Sequence, residues 1–241
     1  MILHQGSDFI GVKRKKDLND WLSKVPRNVD FVVLAPFALD ELRATVHGHA
    51  ASRIRAIEHP YLFVPPHTAT ASKHERSPIF GWIPEGHEHW AETVSRIQVE
   101  HGPIVEVGIA AKARFTDVSP VPYEQFSESL MGLDYLLIIK EPAIYTARAS
   151  SQYLDAASAG VPWIALRNRF AEHVQDVAGE NGFICDSLDE LHGKIAELSG
   201  SGERLGETEK YMLANRQLRA HFSTTSIGVS MLRSLLQGAQ G

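Results

Sequence analysis

Two serines and an aspartate stand one helical turn apart at Ser150, Ser151 and Asp155, at the head of Ser-Ser-Gln-Tyr-Leu-Asp-Ala-Ala-Ser-Ala-Gly-Val-Pro, which ends at Pro162. The spacing predicts a short helix between two buried strands. Ser150 or Ser151 can accept the first helical N–H bonds as N-cap. Gly160 supplies the left-handed stop, and Pro162 bars continuation. Free N–H groups and the helix dipole at such an N-terminus favour a phosphate. Asp155 lies four residues after Ser151, on the same helix face one turn deeper. A carboxylate there can accept hydrogen bonds from ribose hydroxyls. The plainer alternative is an ordinary capped crossover helix with a solvated aspartate, and local chemistry does not choose between them.

Other reactive residue types carry less. Among 12 histidines, His47-Gly48-His49 and His87-Glu88-His89 have the spacing that would point two rings the same way on a strand. Both pairs sit in polar, Gly-flanked stretches without a third ligand nearby, so no metal site is expected. Cys185 closes an apolar run and reads as a small core hydrophobe. No Gly-x-Gly-x-x-Gly, Walker A or Gly-x-Ser-x-Gly pattern is present, which removes the usual dinucleotide and hydrolase readings.

Composition narrows the class further. In 241 residues, 44% are hydrophobic and 22% charged, as in ordinary soluble proteins. A net charge of −5 argues against a broad basic face for nucleic acid. A single cysteine can form no internal disulfide and fits a reducing compartment. No apolar run reaches the roughly 18 residues of a membrane span, and Met1-Ile2-Leu3 is too short for a secretory h-region, so a cytoplasmic location is expected.

These residues need an α/β frame. Ile2-Leu3 reads as the end of a strand and Lys13-Arg14-Lys15-Lys16 as a solvated basic turn, so the chain is expected to begin within an α/β pattern. Helical spacing links Leu18, Trp21, Leu22 and Val25. A strand follows at 31–35, a helix from Leu39 to Val46, and a strand at 53–57. From His59-Pro60-Tyr61 to Ser77 the chain reads as a linker. Beyond it come strands at 79–83, 103–108, 134–139, 163–166 and 183–185, separated by helical patterns. Gly108 ends its strand where the backbone can approach a ligand closely. Ser187-Leu188-Asp189-Glu190 has capping-box spacing. The tail carries two more helical patterns, the second with Ile227, Met231, Leu232, Leu235 and Leu236. The order predicts a Rossmann-like doubly wound parallel sheet from about residue 77 to 199, preceded by a shorter α/β piece. The expected division is 1–76, 77–224, and a C-terminal helix over 225–241.

A resemblance now enters. Asp155 to Pro162 resembles the Glu-Ala-Met-Ala-x-Gly-x-Pro segment of retaining GT-B glycosyltransferases of the "glycosyl transferases group 1" type. Glu172-His173-Val174 with Gly179-Glu180-Asn181-Gly182-Phe183 is similar to their Glu-x-Val and Gly-x-x-Gly-Phe/Leu element. His4-Gln5-Gly6-Ser7-Asp8 resembles the His-Gly-Ser-Asp after a late strand of their first domain. The resemblance implies a shortened N-terminal domain, whose first part and glycine-rich loop have no counterpart here.

Residue by residue, the resemblance places Asp155 at the second acid of a Glu-x7-Glu pair, which holds the nucleotide ribose. The first acid would fall at Ala147, and Glu141 is too far upstream to replace it. Ser150 and Ser151 would face the donor diphosphate, and His4 would stand at the donor sugar as the catalytic candidate. Gly81-Trp82 replaces the family's Gly-Arg, so the phosphate clamp is missing, and Lys140 or Arg148 would have to supply its charge. With Gly108, these residues make the expected sugar-nucleotide site.

The expected activity is metal-independent transfer of a sugar from a UDP- or GDP-sugar, with no further cofactor. Retention at the anomeric carbon rests on the resemblance alone. Glycan, lipid, small molecule and modified nucleobase all stay open as acceptor. A non-catalytic subunit of the same fold, which binds or regulates a complete transferase, is the second reading. A third is an unrelated nucleotide-binding enzyme such as an epimerase. An unfinished first sheet and an apolar tail helix lead to the expectation of a homodimer, or of a complex with a separately encoded half, touching near residues 1–60.

Overall fold

The structure, a computed structural model, describes residues 2–3, 24–26, 29–34, 36–46, 48–63, 77–83, 88–107, 122–140, 149–201 and 205–238. Two parallel sheets organise them. The first joins β1 (Ile2–Leu3), β2 (Phe31–Val33) and β3 (Ile54–Ala56) in that order, with Ile2 opposite Val32 and Val33 opposite Ala56. Helix α1 (Leu39–Thr45) packs on it, and Phe31, Val33, Leu42, Val46 and Ile54 form a small core.

The second sheet contains β4 (Phe80–Trp82), β5 (Ile104–Glu106), β6 (Tyr135–Ile138), β7 (Trp163–Leu166) and β8 (Gly182–Cys185), in spatial order β5-β4-β6-β7-β8. From β4 the chain moves out to β5, then returns past β4 to β6, so the strand order reverses between β4 and β6. In an open α/β sheet the crevice beyond the carboxyl ends at that reversal is where ligands bind.

Strands β6 and β7 are buried at all four positions each, as expected of a parallel sheet covered on both faces. Their side chains alternate between two cores. Leu136, Ile138, Trp163 and Ala165 meet α3 (Tyr123–Met131), α4 (Ser151–Ala159), α5 (Arg169–Ala178) and α7 (Glu209–Phe222). Tyr135, Leu137, Ile164 and Leu166 meet α2 (Glu88–His101), α6 (Leu188–Ser201) and Tyr211. Each buried aliphatic side chain contributes about 1.5–3 kcal/mol. The doubly wound sheet expected from residue 77 onward is therefore present, with β4, β5 and β6 shorter than the runs expected for them, β7 as expected and β8 one residue longer.

Local signals explain the connections. Gly160 ends α4 at φ 71° and ψ 29°, and its N–H and that of Val161 return to the carbonyls of the last helical turn. Asn168 caps α5: its Oδ1 accepts from the Ala171 N–H at 3.0 Å, and its Nδ2 donates to Tyr153 Oη at 2.8 Å. This buried amide thus ties α5 to α4. Ser187 Oγ accepts from the Glu190 N–H at 3.1 Å, while Glu190 reaches back to the N–H of Asp186, one residue before the position a capping box predicts. Helix α8 (Thr224–Gly238) closes the described chain; Ile227 is buried, whereas Met231 and Leu232 are exposed.

Candidate functional site

Helix α4 brings Asp155 to the junction between the two sheets, and its surroundings differ from those of a solvated aspartate. Tyr61 Oη donates a short hydrogen bond to Asp155 Oδ1. Ser151, one turn earlier, also hydrogen-bonds the carboxylate, and the charge of Lys140 acts on it. Burial is the largest influence and raises the Asp155 pKa above its ordinary value of 3.8; Tyr61, Ser151 and Lys140 pull the other way and recover only part of the loss. The Tyr61 hydroxyl is held protonated, first by burial and then by the adjacent carboxylate.

Tyr61 comes from the segment that sequence reading assigned to a linker. The first residues of that stretch are anchored instead: the Tyr61 N–H donates to Phe222 O at 2.9 Å, and Tyr61 forms a parallel bridge with Ser223. Its ring lies 4.8 Å from that of Phe63, which sits beneath the Arg219 guanidinium at 5.1 Å. Arg219 in turn donates to the carbonyls of Ala157 and Ser158, at 3.2 and 3.0 Å. A cation on the last carbonyls of α4 opposes the negative end of its dipole.

Of the residues expected at a sugar-nucleotide site, Lys140, Ser151 and Asp155 come together. Lys140 is buried just beyond the carboxyl end of β6, at the strand-order reversal. Ser150 occupies the N-cap position in extended conformation, yet its side chain accepts no capping hydrogen bond; the expectation of a serine-capped helix is corrected for that residue. Ser151 turns to Asp155 instead. His4, Gly108 and Arg148 lie outside the described residues, as do Glu141 and Ala147. Trp82, where the resemblance would place an arginine, is buried in the α2/α6 core and brings no charge.

A second cluster escaped sequence reading. Glu58 receives His173 Nε2 at 2.9 and 3.0 Å on its two oxygens, and His221 Nε2 at 2.9 Å on Oε1. The three residues are separated by up to 163 positions, so no local spacing signals them. The two histidines hold the Glu58 pKa below its ordinary value despite burial, which alone would raise it. A depression of about 430 Å³ also borders β8, near Phe183 and Lys194. It lies two strands from β6 and contains none of the expected site residues.

No protein-family model matches the sequence, and no curated protein matches it. Solved structures do. HepE of Anabaena, in complex with UDP and glucose, superposes with a TM-score of 0.66 at 11% identity, over 97% of this chain and 70% of that one. TarM gives 0.60 at 13% identity, over 96% and 49%. A glycosyltransferase from Rickettsia africae gives 0.58 at 12% identity, over 92% and 66%. The fold is GT-B. The chain spans between 49% and 70% of the length of these GT-B structures. Within the GT-B frame, the described part of the expected site lies on the second sheet and α4, facing the segment that leaves the first.

Proposed function

We propose that the protein is a glycosyltransferase that binds a UDP- or GDP-sugar beyond the carboxyl ends of β4 and β6 and transfers its sugar to an acceptor. Asp155 accepts the ribose hydroxyls on the lone pairs that Tyr61 and Ser151 leave open. The N–H groups at the head of α4 receive the diphosphate, and Lys140 supplies the positive charge missing from β4. Bond cleavage between the anomeric carbon and the phosphate oxygen leaves the electron pair on the nucleoside diphosphate, while the acceptor forms the new bond to that carbon and gives up its proton to the departing diphosphate or to solvent. His4 beside the donor sugar, Gly108 at the sheet edge and Arg148 as the alternative cation to Lys140 belong to the same proposal, as do a metal-independent reaction centre, retention, a cytoplasmic location, and a homodimer or a complex with a separately encoded half. Among the described residues no helix is long and apolar enough to cross a membrane.

The carrying observation is Asp155 gathered with Ser151 and Lys140 at the head of α4, beside the reversal of strand order. Calorimetry with UDP, GDP and their sugars tests it, followed by a donor-hydrolysis assay on any ligand that binds. The proposal requires one nucleoside diphosphate to bind and its sugar to turn over. A second reading, a non-catalytic partner of a complete transferase, draws on buried Trp82 at the clamp position and on Tyr61 already holding Asp155. Tight nucleotide binding without turnover favours that reading.

A further inference from the structure

Glu58, His173 and His221 converge from three separate places. Glu58 lies just beyond β3, His173 within α5, and His221 next to the last residue of α7. Their ligand atoms all lie within 4.8 Å of one another. Both rings present Nε2, and both reach the same carboxylate oxygen at 2.9 Å. In a tetrahedral zinc site with bonds of about 2.0–2.1 Å, neighbouring donor atoms stand about 3.3 Å apart. Both nitrogen–oxygen separations are thus within about 0.4 Å of that spacing, and the two nitrogens, no more than 4.8 Å apart, are close enough to share one ion.

The surroundings suit a cation held by protein on three sides. The side chains of Glu58 and His173 are 16% and 14% exposed, while that of His221 at 36% leaves a way in from solvent. Aromatic rings wall the cluster: Phe37 and Phe170 lie 5.3 and 6.3 Å from the His173 ring, and Phe222 lies 4.9 Å from that of His221. An apolar wall lowers the local dielectric and strengthens coordination by the one carboxylate. Two imidazoles and one carboxylate form a donor set that suits zinc, with the fourth position left to water.

We propose that Glu58, His173 and His221 form a divalent-metal site of the zinc class, which fastens the segment after β3 to α5 and α7. This site is separate from the donor site and does not depend on the activity proposed above. It does lie on the same strand of chain: Tyr61, three residues after Glu58, holds Asp155. A metal at Glu58 therefore fixes the segment that positions Asp155.

The test uses the full chain, stripped with a chelator and titrated with zinc by calorimetry. Cobalt serves as a spectroscopic probe, since a tetrahedral nitrogen and oxygen site gives intense visible absorption. One equivalent is expected to bind, with that absorption and with a rise in unfolding temperature. Glu58→Gln and His221→Ala are each expected to weaken binding by roughly a hundredfold or more, since loss of even an outer-shell partner costs about 10–100-fold. His221 is the more exposed histidine, so its variant keeps the fold readable by circular dichroism. His192→Ala, which alters a histidine packed on His101, should leave binding unchanged. Absence of binding at 100-fold excess metal overturns the site and leaves a hydrogen-bonded latch. Binding that survives both ligand variants places the metal on other histidines and overturns it equally. Nucleoside-diphosphate affinity, measured on the stripped protein, stands or falls by itself.

Discussion

Burial opposes the charge of Asp155, and that cost has a sign that can be measured. Its folded pKa lies above the ordinary 3.8. Between those two values the native state keeps a proton that the unfolded chain has released, so stability falls as pH rises through the window and stays lower above it. Asp155→Asn keeps an acceptor for the Tyr61 hydroxyl and removes the charge. Urea unfolding at pH 7 is therefore expected to show the variant at least as stable as the parent, with the decline between acid and neutral pH diminished. Nucleoside-diphosphate affinity should drop by about 1.5–3 kcal/mol, the range for a hydrogen bond to a charged group. A variant that lost stability but kept its affinity would make Asp155 a structural residue. Tyr61→Phe separates the two roles further. It takes one donor from the carboxylate while the Tyr61 backbone bond to Phe222 remains. Denaturant unfolding should show a loss of about 1–2 kcal/mol, and donor binding a moderate weakening, because Asp155 is left less oriented. At this scale the sequence marked Asp155 and Ser151 through motif and spacing, and named Lys140 only as an alternative to Arg148 for the missing clamp charge. Tyr61 and the Glu58 cluster were hidden because only the folded chain brings distant positions together, and Ser150 takes the expected N-cap position without the side-chain bond, since an N-cap serine need not bond its own helix.

At the scale of elements, the strongest sequence signals were those with a steric cause. The α4 stop at Gly160-Val161-Pro162 follows from the conformational freedom of glycine and the missing N–H of proline. The continuous apolar runs of β6 and β7 follow from burial on both faces. Strand ends were less legible, since a run such as 103–108 is longer than the three residues of β5 that pair with β4. Gly182 shows a constraint of another kind. It lies outside the strand expected over 183–185, yet it is the first residue of β8, opposite Trp163 of β7. A Cβ there would stand 2.3 Å from the Trp163 ring and 2.5 Å from its carbonyl oxygen. That ring packs against Tyr153 of α4, with centroids 5.0 Å apart, so it cannot retreat without disturbing the helix that carries Asp155. Gly182→Ala is expected to cost about 1–3 kcal/mol in overpacking. Thermal unfolding checks the loss, and a red shift in tryptophan emission would report that Trp163 has been pushed toward solvent.

At the scale of the whole molecule, among the described residues Phe37 belongs to both cores. Phe37, in the 3-10 turn ahead of α1, packs against the small core of the first sheet and also against the α4/α5 core of the second. Its ring meets Phe170 at 5.8 Å and His173 at 5.3 Å, and its carbonyl accepts from Arg169 at 3.3 Å. The sequence showed a phenylalanine after Pro36 and nothing more, since hydrophobic periodicity assigns a residue to an element and not to a seam. Phe37→Ala should remove the apolar bridge while leaving the Arg169 bond to its carbonyl and the Glu58 cluster in place. Because Phe37 is half-buried, the expected loss is about 2–3 kcal/mol, below the 3–5 kcal/mol of a fully buried phenylalanine. The small core has little apolar area of its own, so losing this contact should let it unfold first. In a Trp21→Phe background the remaining tryptophans, Trp82, Trp90 and Trp163, all belong to the second α/β unit, and Trp82 and Trp163 are buried in its sheet, so fluorescence reports that unit, whereas far-UV circular dichroism reports all the helices and strands. The parent should show coincident transitions by the two probes. In Phe37→Ala the circular dichroism change should begin at lower urea than the fluorescence change, which marks loss of two-state behaviour. Transitions that still coincide in the variant would mean that the remaining contacts, among them those of Glu58 and Tyr61 and the Arg169 bond, couple the sheets without the Phe37 ring.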